Sequence, residues 1–176
     1  MGSSRTREPK QPKSCHERAL GLLAVRARSR RELERRLTQA GFDAEEVGDA
    51  LERLERVGLV DDQAFARQVA EHAFGNKLAG RRAVTGKLAA AGVQPDLIAS
   101  VVEELGGDEE ARALDLARVR GARMGSLEPA KAFQRLTSLL VRRGYDGDLA
   151  RRAARKALAV TTDAEESSLA SRFTRP

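Results

Sequence analysis

Hydrophobic and polar positions alternate along most of the chain with the period of an α-helix. Val47, Leu51 and Leu54 recur at the spacing that places side chains on one helical face. The same i, i+3, i+4, i+7 pattern is found near the N-terminus, at Leu20, Leu23, Ala24 and Ala27. These stripes predict amphipathic helices, each of which buries one face.

A pattern of helix, glycine, apolar residue and second helix occurs three times. The glycines are Gly41, Gly92 and Gly144, spaced 51 and 52 residues apart, and each is followed by an apolar residue: Phe42, Val93 or Tyr145. A glycine just past a helix end adopts the left-handed conformation, and the next residue packs back on the helix. The recurrence predicts a repeated helical module.

Helix-start signals define the modules further. Ser14 with Glu17 and Ser29 with Glu32 have the spacing of a capping box, as does Asp43 with Glu46. Asp61, Asp108 and Asp146 are further candidate caps, and Pro95 and Pro129 stand where a first helical turn tolerates proline. We therefore predict an all-α fold, a tandem array of three three-helix modules with about nine helices, elongated and curved. The predicted boundaries are 1–13, a disordered basic N-terminal tail; 14–58, module 1; 59–105, module 2; 106–160, module 3; and 161–176, a frayed C-terminal tail.

The composition supports the helical class. Among 176 residues there are 29 Ala and 26 Arg but one Ile, one Tyr and no Trp, so residues favoured in sheets are scarce. No apolar run approaches the roughly 18 residues of a membrane-spanning helix, and no secretion signal is recognisable. A single cysteine, Cys15, excludes an internal disulfide and fits a reducing cytoplasm.

No motif predicts an enzyme, a cofactor or a metal site. Cys15 and His16 are adjacent near a helix start, and there is no glycine-rich phosphate loop or paired-carboxylate motif. With only two histidines and one cysteine, zinc ligands are lacking. The aromatic residues lie on or beside apolar stripes, which favours core packing over base stacking.

The positive charge is concentrated in the third module. The net charge of the chain is +6, and residues 106–160 alone carry +5. On a helical wheel Arg151, Arg152, Arg155 and Lys156 share a face opposite Leu149 and Ala153. We predict that this face binds a charged partner, with an arginine cluster at 26–36 as the second candidate. A GC-rich coding sequence also produces many Ala and Arg codons, so a surface role in solubility remains an alternative for any one arginine.

Three sequence motifs carry a resemblance to a known family. They are "SRRELERRL" at 29–37, Leu54 followed by "GLVDDQAFA" at 58–66, and "LLVRRGY" at 139–145. In this order and spacing they closely resemble the RecX family of bacterial RecA regulators, over residues 15–160. The resemblance implies tandem three-helix modules and binding to the RecA filament on DNA. It also implies inhibition of RecA's ATPase, strand exchange and the coprotease activity that triggers the SOS response in DNA repair. One departure is that the chain has Ala73 to Asn76 where relatives usually carry basic residues; Lys77 follows.

The resemblance and the charge pattern together give the candidate residues. Those for binding the RecA filament or DNA are Arg26, Arg28, Arg30, Arg31, Arg35, Arg81, Arg82, Arg142, Arg143, Arg151, Arg152, Arg155 and Lys156. Those of the family motifs, expected to be structural, are Gly58, Leu59, Asp61, Asp62, Phe65, Gly92, Gly144 and Tyr145.

We accordingly expect a cytoplasmic, monomeric, non-enzymatic negative regulator. Its expected partners are the RecA filament and single-stranded DNA, with double-stranded DNA as a secondary partner, and neither a membrane nor a cofactor is expected. Two alternatives remain from the repeat pattern: a Myb-like reader of specific duplex sequences, although such proteins depend on core tryptophans, and a pure protein-interaction scaffold.

Overall fold

The computed structural model describes residues 13–159, and every regular element in that range is helical. The predicted tails at 1–13 and 161–176 lie outside the described residues, apart from Lys13. The described residues fall into two compact units, which divide between Asp62 and Gln63.

The first unit contains three helices and one apolar cluster. The helices are α1 (Cys15–Leu23), α2 (Arg30–Gln39) and α3 (Ala44–Arg56). All three predicted caps are confirmed: the side chains of Ser14, Ser29 and Asp43 each accept a hydrogen bond from the backbone N–H three residues later. The glutamate at the third position of α1 completes a capping box, because Glu17 Oε2 accepts from Ser14 N at 2.9 Å.

The apolar stripe predicted for the first helix is wrong. α1 ends at Leu23, so Ala24 and Ala27 lie beyond it and are exposed, and Leu20 is exposed as well. The buried face is instead formed by Cys15 and Ala19. The sequence pattern predicted a longer helix because alanine fits an apolar helical stripe whether it is buried or exposed to solvent.

The second unit contains the remaining helices. They are α4 (Asp62–Glu71), which begins at the last residue of the first unit, α5 (Arg81–Ala90), α6 (Pro95–Leu105), α7 (Glu109–Gly121), α8 (Pro129–Arg142) and α9 (147–159). The end of α4 continues as a π-helical segment, His72–Asn76, which the sequence pattern did not predict. The described residues thus contain nine α-helices in three successive triplets, as the repeat predicted.

The three predicted glycine turns share one geometry. Gly41, Gly92 and Gly144 have φ of 96°, 79° and 89°. In each, the residue after the glycine donates its N–H to the carbonyl five residues earlier, and the glycine donates to the carbonyl three residues earlier. This pair of hydrogen bonds is the Schellman motif, which satisfies the last carbonyls of a helix. A fourth such turn, which the repeat did not reveal, lies at Gly58 with φ 71°.

Each helix triplet has its own apolar cluster. The clusters draw on residues 15–60, 65–105 and 113–157. Leu33, Leu51, Leu88 and Leu136 are fully buried, so each cluster contains at least one leucine that is closed to solvent. Leu78, from the segment between α4 and α5, also packs against the third cluster. This contact joins the second triplet to the third.

Candidate functional site

Side chains of the third triplet hold the segment 77–80, between the π-helical turn and α5. Three successive carbonyls each accept one hydrogen bond: that of Lys77 from Arg143 Nη1 at 2.9 Å, that of Leu78 from the Tyr145 hydroxyl at 2.8 Å, and that of Ala79 from Arg112 Nε at 3.0 Å. We call residues 77–80, held in this way, the strap. Within it Leu78 adopts φ 46°, a conformation that non-glycine residues rarely adopt.

The backbone of Gly80, at the end of the strap, lies very close to the backbone of Arg143 and Gly144. Gly80 N donates to the carbonyl of Arg143 at 2.8 Å, and a Cβ on Gly80 would overlap the backbone of Gly144. A Cβ on Gly144 would in turn overlap the backbone of Ala83. The "RRGY" motif therefore has a physical role here, because its arginine, glycine and tyrosine together join the second and third triplets.

The Tyr145 hydroxyl is held in its protonated form. The side chain is 1% exposed, and burial raises the pKa of Tyr145 to about 12. The phenol therefore remains a hydrogen-bond donor to Leu78 across the ordinary pH range.

Two basic clefts lie beside the strap. The first, of about 670 Å³, is lined by four cations, Lys77, Arg120, Arg142 and Arg143, by the amide of Asn76 and by aliphatic side chains. The second, of about 410 Å³, is lined by Arg135 and Arg142 with Met124, Gln134, Ser138 and Leu139. Since Arg142 lines both, the clefts adjoin at this side chain. No Asp or Glu is among the residues that line either one.

The basic face predicted for the last helix is solvent-exposed in the structure. Arg151, Arg152, Arg155 and Lys156 are all exposed, while Leu149 and Ala153 on the opposite side are buried. Arg151 forms an ion pair with Asp148, three residues earlier. The helical wheel thus gave the correct orientation of α9. Arg142 and Arg143, two further candidates at the end of α8, line the first cleft.

The first arginine cluster surrounds a buried carboxylate. Glu32 is 7% exposed, and its Oε1 accepts from Arg26 Nη2 at 2.6 Å, from Arg36 Nε at 3.1 Å and from Arg28 Nη1. Burial raises the pKa of Glu32, but the hydrogen bonds from Arg36, Arg26 and Arg28 outweigh it, so the pKa lies below its usual value.

Arg28 cannot present its charge to a partner in this structure. It is itself 7% exposed, and its Nε donates to the carbonyl of Leu22 at 3.1 Å. The sequence counted it as a surface cation because an arginine in a basic run is usually exposed. Arg31 and Arg35, by contrast, are exposed on α2.

Three further candidates take part in ion pairs within the protein. Arg30 pairs with Glu55 at 2.8 Å, and Arg82 pairs with Asp146 at 2.8 Å. Arg81 contacts the end of α6, the start of α7 and the turn between them. Its backbone N–H donates to Glu109 at 2.7 Å, and its guanidinium donates to Glu103 at 3.1 Å and to the carbonyl of Gly107 at 3.2 Å. These arginines therefore have a structural role in addition to any partner they bind.

The "GLVDD" motif forms the turn into α4. Gly58 adopts the left-handed conformation, Leu59 is 53% exposed, and Phe65 is buried. Asp62 Oδ1 accepts from the backbone N–H of Arg30 at 2.8 Å, which connects this turn to the start of α2. Asp61 directly precedes α4, where a capping residue stands.

Sequence reasoning did not single out Lys77, Arg112 or Arg120. Arg112 stacks on the ring of Phe74, 4.6 Å from its centroid, and donates to Gly106 at 2.6 Å as well as to Ala79. Their places depend on contacts between residues tens of positions apart, which helical periodicity does not reveal. Lys77 stands at the end of the stretch where the chain departs from the family pattern, and that departure was the one available signal.

The described part of the chain contains neither a membrane-spanning helix nor a metal-binding cluster. Between residues 13 and 159 no helix is long and apolar enough to cross a membrane. The same residues contain no cluster of three or more His, Cys, Asp or Glu side chains that could hold a metal ion.

Comparison with known sequences identifies relatives along most of the chain. The family model for the first three-helix domain of RecX matches residues 15–54. A protein of Mycobacterium sp. (strain JLS) named regulatory protein RecX is 39% identical over 151 residues, covering 81% of this chain and 81% of that protein. A protein of the same name from Stenotrophomonas maltophilia is 35% identical over 153 residues, covering 87% and 92%.

Solved structures show the same fold. The crystal structure of RecX from Lactobacillus salivarius superposes with a TM-score of 0.65 at 15% identity, covering 81% of this chain and 94% of that one. A second structure, of regulatory protein RecX, gives a TM-score of 0.67 at 18% identity, covering 79% and 70%.

Proposed function

Because the chain belongs to the RecX family of regulatory proteins, we propose that it is a negative regulator of RecA. In this role it binds the RecA–DNA filament and slows ATP hydrolysis, strand exchange and the coprotease reaction. The observation that carries the proposal is the sequence identity to regulatory proteins of this family along four fifths of the chain.

The exposed basic face of α9 is the proposed contact surface. Arg151, Arg152, Arg155 and Lys156 lie on one side of a helix whose other side is buried in the third apolar cluster. A rigid helix presents these charges in a constant arrangement, which favours fast, salt-dependent binding to an anionic partner. Either the phosphates of the filament's DNA or an acidic surface of RecA would meet this requirement.

Arg31 and Arg35 form a smaller exposed pair on α2 and are the proposed secondary contact. The other arginines of the first triplet contribute less, because Arg26, Arg28 and Arg36 bind Glu32 and Arg30 binds Glu55.

A titration of RecA's ATPase tests the proposal. RecA filaments are formed on circular single-stranded DNA, and the rate of ATP hydrolysis and the cleavage of a repressor substrate are measured as the chain is added. A filament repeats one binding surface many times, so we expect both rates to fall at less than one chain per RecA protomer.

An unrelated ATPase that also depends on single-stranded DNA serves as the control, because it would slow equally if the chain acted only by sequestering DNA. The proposal is refuted if RecA hydrolysis is unchanged at equimolar chain under conditions in which filaments form.

A further inference from the structure

We infer that the two adjoining clefts beside the strap form a track for the sugar–phosphate backbone of one nucleic-acid strand. This goes beyond the proposed function, because it concerns nucleic acid bound by the chain itself, without RecA. It also assigns the contact to residues other than the α9 face.

Charge is the first argument. Five cations line the clefts, Lys77, Arg120, Arg135, Arg142 and Arg143, and the lining contains no carboxylate. The nearest carboxylates in sequence, Asp115 and Asp146, are paired with Arg118 and Arg82, which line neither cleft. A concave surface of one charge sign attracts a ligand of the opposite sign.

The extent of the clefts favours a linear polyanion over a single anion. Arg135 and Arg142 are seven residues apart on α8, which corresponds to about 10 Å along the helix axis. The first cleft continues from Arg142 to Lys77 and Arg120. One phosphate group would reach only part of this surface, whereas a strand that carries a charge at every nucleotide reaches all of it.

The hydrogen-bonding character of the lining distinguishes a nucleic-acid backbone from an acidic peptide. An extended peptide presents an N–H donor at each residue, and each donor needs an acceptor. The carbonyls of Lys77, Leu78 and Ala79 at the first cleft already accept from Arg143, Tyr145 and Arg112. Five cations of the lining can only donate, and they outnumber its side-chain acceptors, which are the amide oxygens of Asn76 and Gln134 and the hydroxyl of Ser138. Phosphodiesters present only acceptors, so they match this lining better than an extended peptide does.

The apolar part of the lining indicates that bases are not read. Leu78, Ala83, Leu116 and Val119 are aliphatic, and the lining of the two clefts contains no aromatic ring on which a base could stack. We therefore expect binding that is independent of sequence, since phosphate contacts position a strand without specifying it.

The test compares two variants with the same loss of charge. The cleft variant replaces Lys77, Arg135 and Arg142 by Gln. The control variant replaces Lys87, Arg123 and Lys131, exposed cations of the same unit that line neither cleft, by Gln. Arg143 is left unchanged because it holds the strap. Fluorescence anisotropy measures the binding of labelled oligo(dT) to the full-length chain over a range of salt concentrations, and circular dichroism checks that both variants melt like the parent.

For the cleft variant we expect the slope of log affinity against log salt to become shallower by about 2, and affinity at low salt to fall about tenfold or more. The control variant should keep a slope close to that of the parent. Oligonucleotides of other sequence should bind the parent with similar affinity.

Three results would overturn the inference: equal losses in the two variants, an unchanged slope in the cleft variant, or a parent that does not bind oligo(dT) at low salt. Competition with polyglutamate tests the acidic peptide directly. If the cleft variant loses binding to polyglutamate but keeps oligo(dT), the clefts bind acidic peptides and the inference is wrong. Because RecA is absent from these measurements, their failure leaves the proposed regulation of RecA standing.

Discussion

Tyr145 is the only tyrosine of the chain, and its hydroxyl has a specific task. It donates to the carbonyl of Leu78, a residue in the left-handed conformation that would otherwise be costly. The ring is buried in the third apolar cluster, while the hydroxyl reaches a segment 67 residues earlier. One side chain therefore contributes both apolar packing and a polar contact between two triplets.

Tyr145→Phe should lower the free energy of unfolding by about 1 to 2 kcal/mol, because it leaves the Leu78 carbonyl without its donor and keeps the ring. Chemical denaturation followed by circular dichroism measures the loss. Thr85→Val removes an exposed hydroxyl from α5 in the same unit and should change stability by less than about 0.5 kcal/mol. Equal stability of Tyr145→Phe and the parent would show that the strap does not depend on this bond.

At the scale of elements, the repeated Schellman turns have equal backbone geometry but unequal surroundings. Nothing lies within 4 Å of a Cβ built on Gly41. At Gly144 the same atom would overlap the backbone of Ala83, because the first turn of α5 packs against the turn between α8 and α9. The repeat therefore predicts the backbone conformation at all three glycines, whereas the cost of adding a side chain differs between Gly41 and Gly144.

Gly41→Ala should destabilise the chain by about 1 to 2 kcal/mol, the cost of a left-handed conformation for an L-residue at a site with open space around the new Cβ. Gly144→Ala should cost about 1 to 3 kcal/mol more, because overlap with backbone atoms cannot be relieved by a change of rotamer. Thermal or denaturant unfolding of the two variants, compared in one buffer, gives the difference. Similar losses at the two sites would contradict the close approach of α5 to Gly144.

Glu32 connects the turn before α2 to the helix itself, since it binds arginines from both. Glu32→Gln should destabilise the first unit at neutral pH by about 2 to 3 kcal/mol. This is at or below the usual cost of breaking a buried ion pair, because two of the partners, Arg26 and Arg36, have side chains that are 50% and 44% exposed. Glu34→Gln, on an exposed position of the same helix, is the matched control and should have little effect.

The effect of Glu32→Gln should depend on pH. The pKa of Glu32 is lower in the folded chain than in the unfolded chain. Its contribution to the free energy of unfolding is therefore present above the unfolded pKa and is lost as pH falls through the folded pKa. The difference in unfolding free energy between parent and variant should therefore shrink as pH is lowered from about 5 to about 3. A difference that stays constant over this range would show that the carboxylate charge is not the stabilising feature.

At the scale of the whole molecule, the positive charge is distributed unevenly. The first triplet contains many arginines, but much of their charge is used within the protein, on Glu32 and Glu55. The third triplet carries a net +5 and presents it on α9 and in the clefts. Electrostatic attraction to an anionic filament should therefore depend mainly on the third triplet.

Replacing Arg151, Arg152, Arg155 and Lys156 together by Gln should weaken inhibition of RecA's ATPase and make it less sensitive to salt, with little change in the melting curve. The control replaces Arg53, Arg56, Lys87 and Lys131, which are also exposed, and lowers the net charge equally, from +6 to +2. If both variants inhibit like the parent at moderate salt, the α9 face is not the contact, and Arg31 and Arg35 become the next candidates.

The sequence by itself determined the helices, most of their ends and the family. Capping by Ser14, Ser29 and Asp43, the left-handed glycines and the orientation of α9 all follow from interactions within about five residues. Such signals are readable from spacing because the helix brings those positions together whatever surrounds them. The exception was the end of α1, where alanine's small side chain left the stripe ambiguous.

Only the tertiary structure decided which arginines face solvent and which hold the protein together. Arg28 is buried on Glu32, Arg143 reaches Lys77 across 66 residues, and Arg120 shares a cleft with Arg142. The π-helical turn and the strap likewise depend on contacts with the third triplet. An arginine has the same helical propensity in each of these places, so its role is settled by which distant carboxylate, carbonyl or cleft the packing brings within reach.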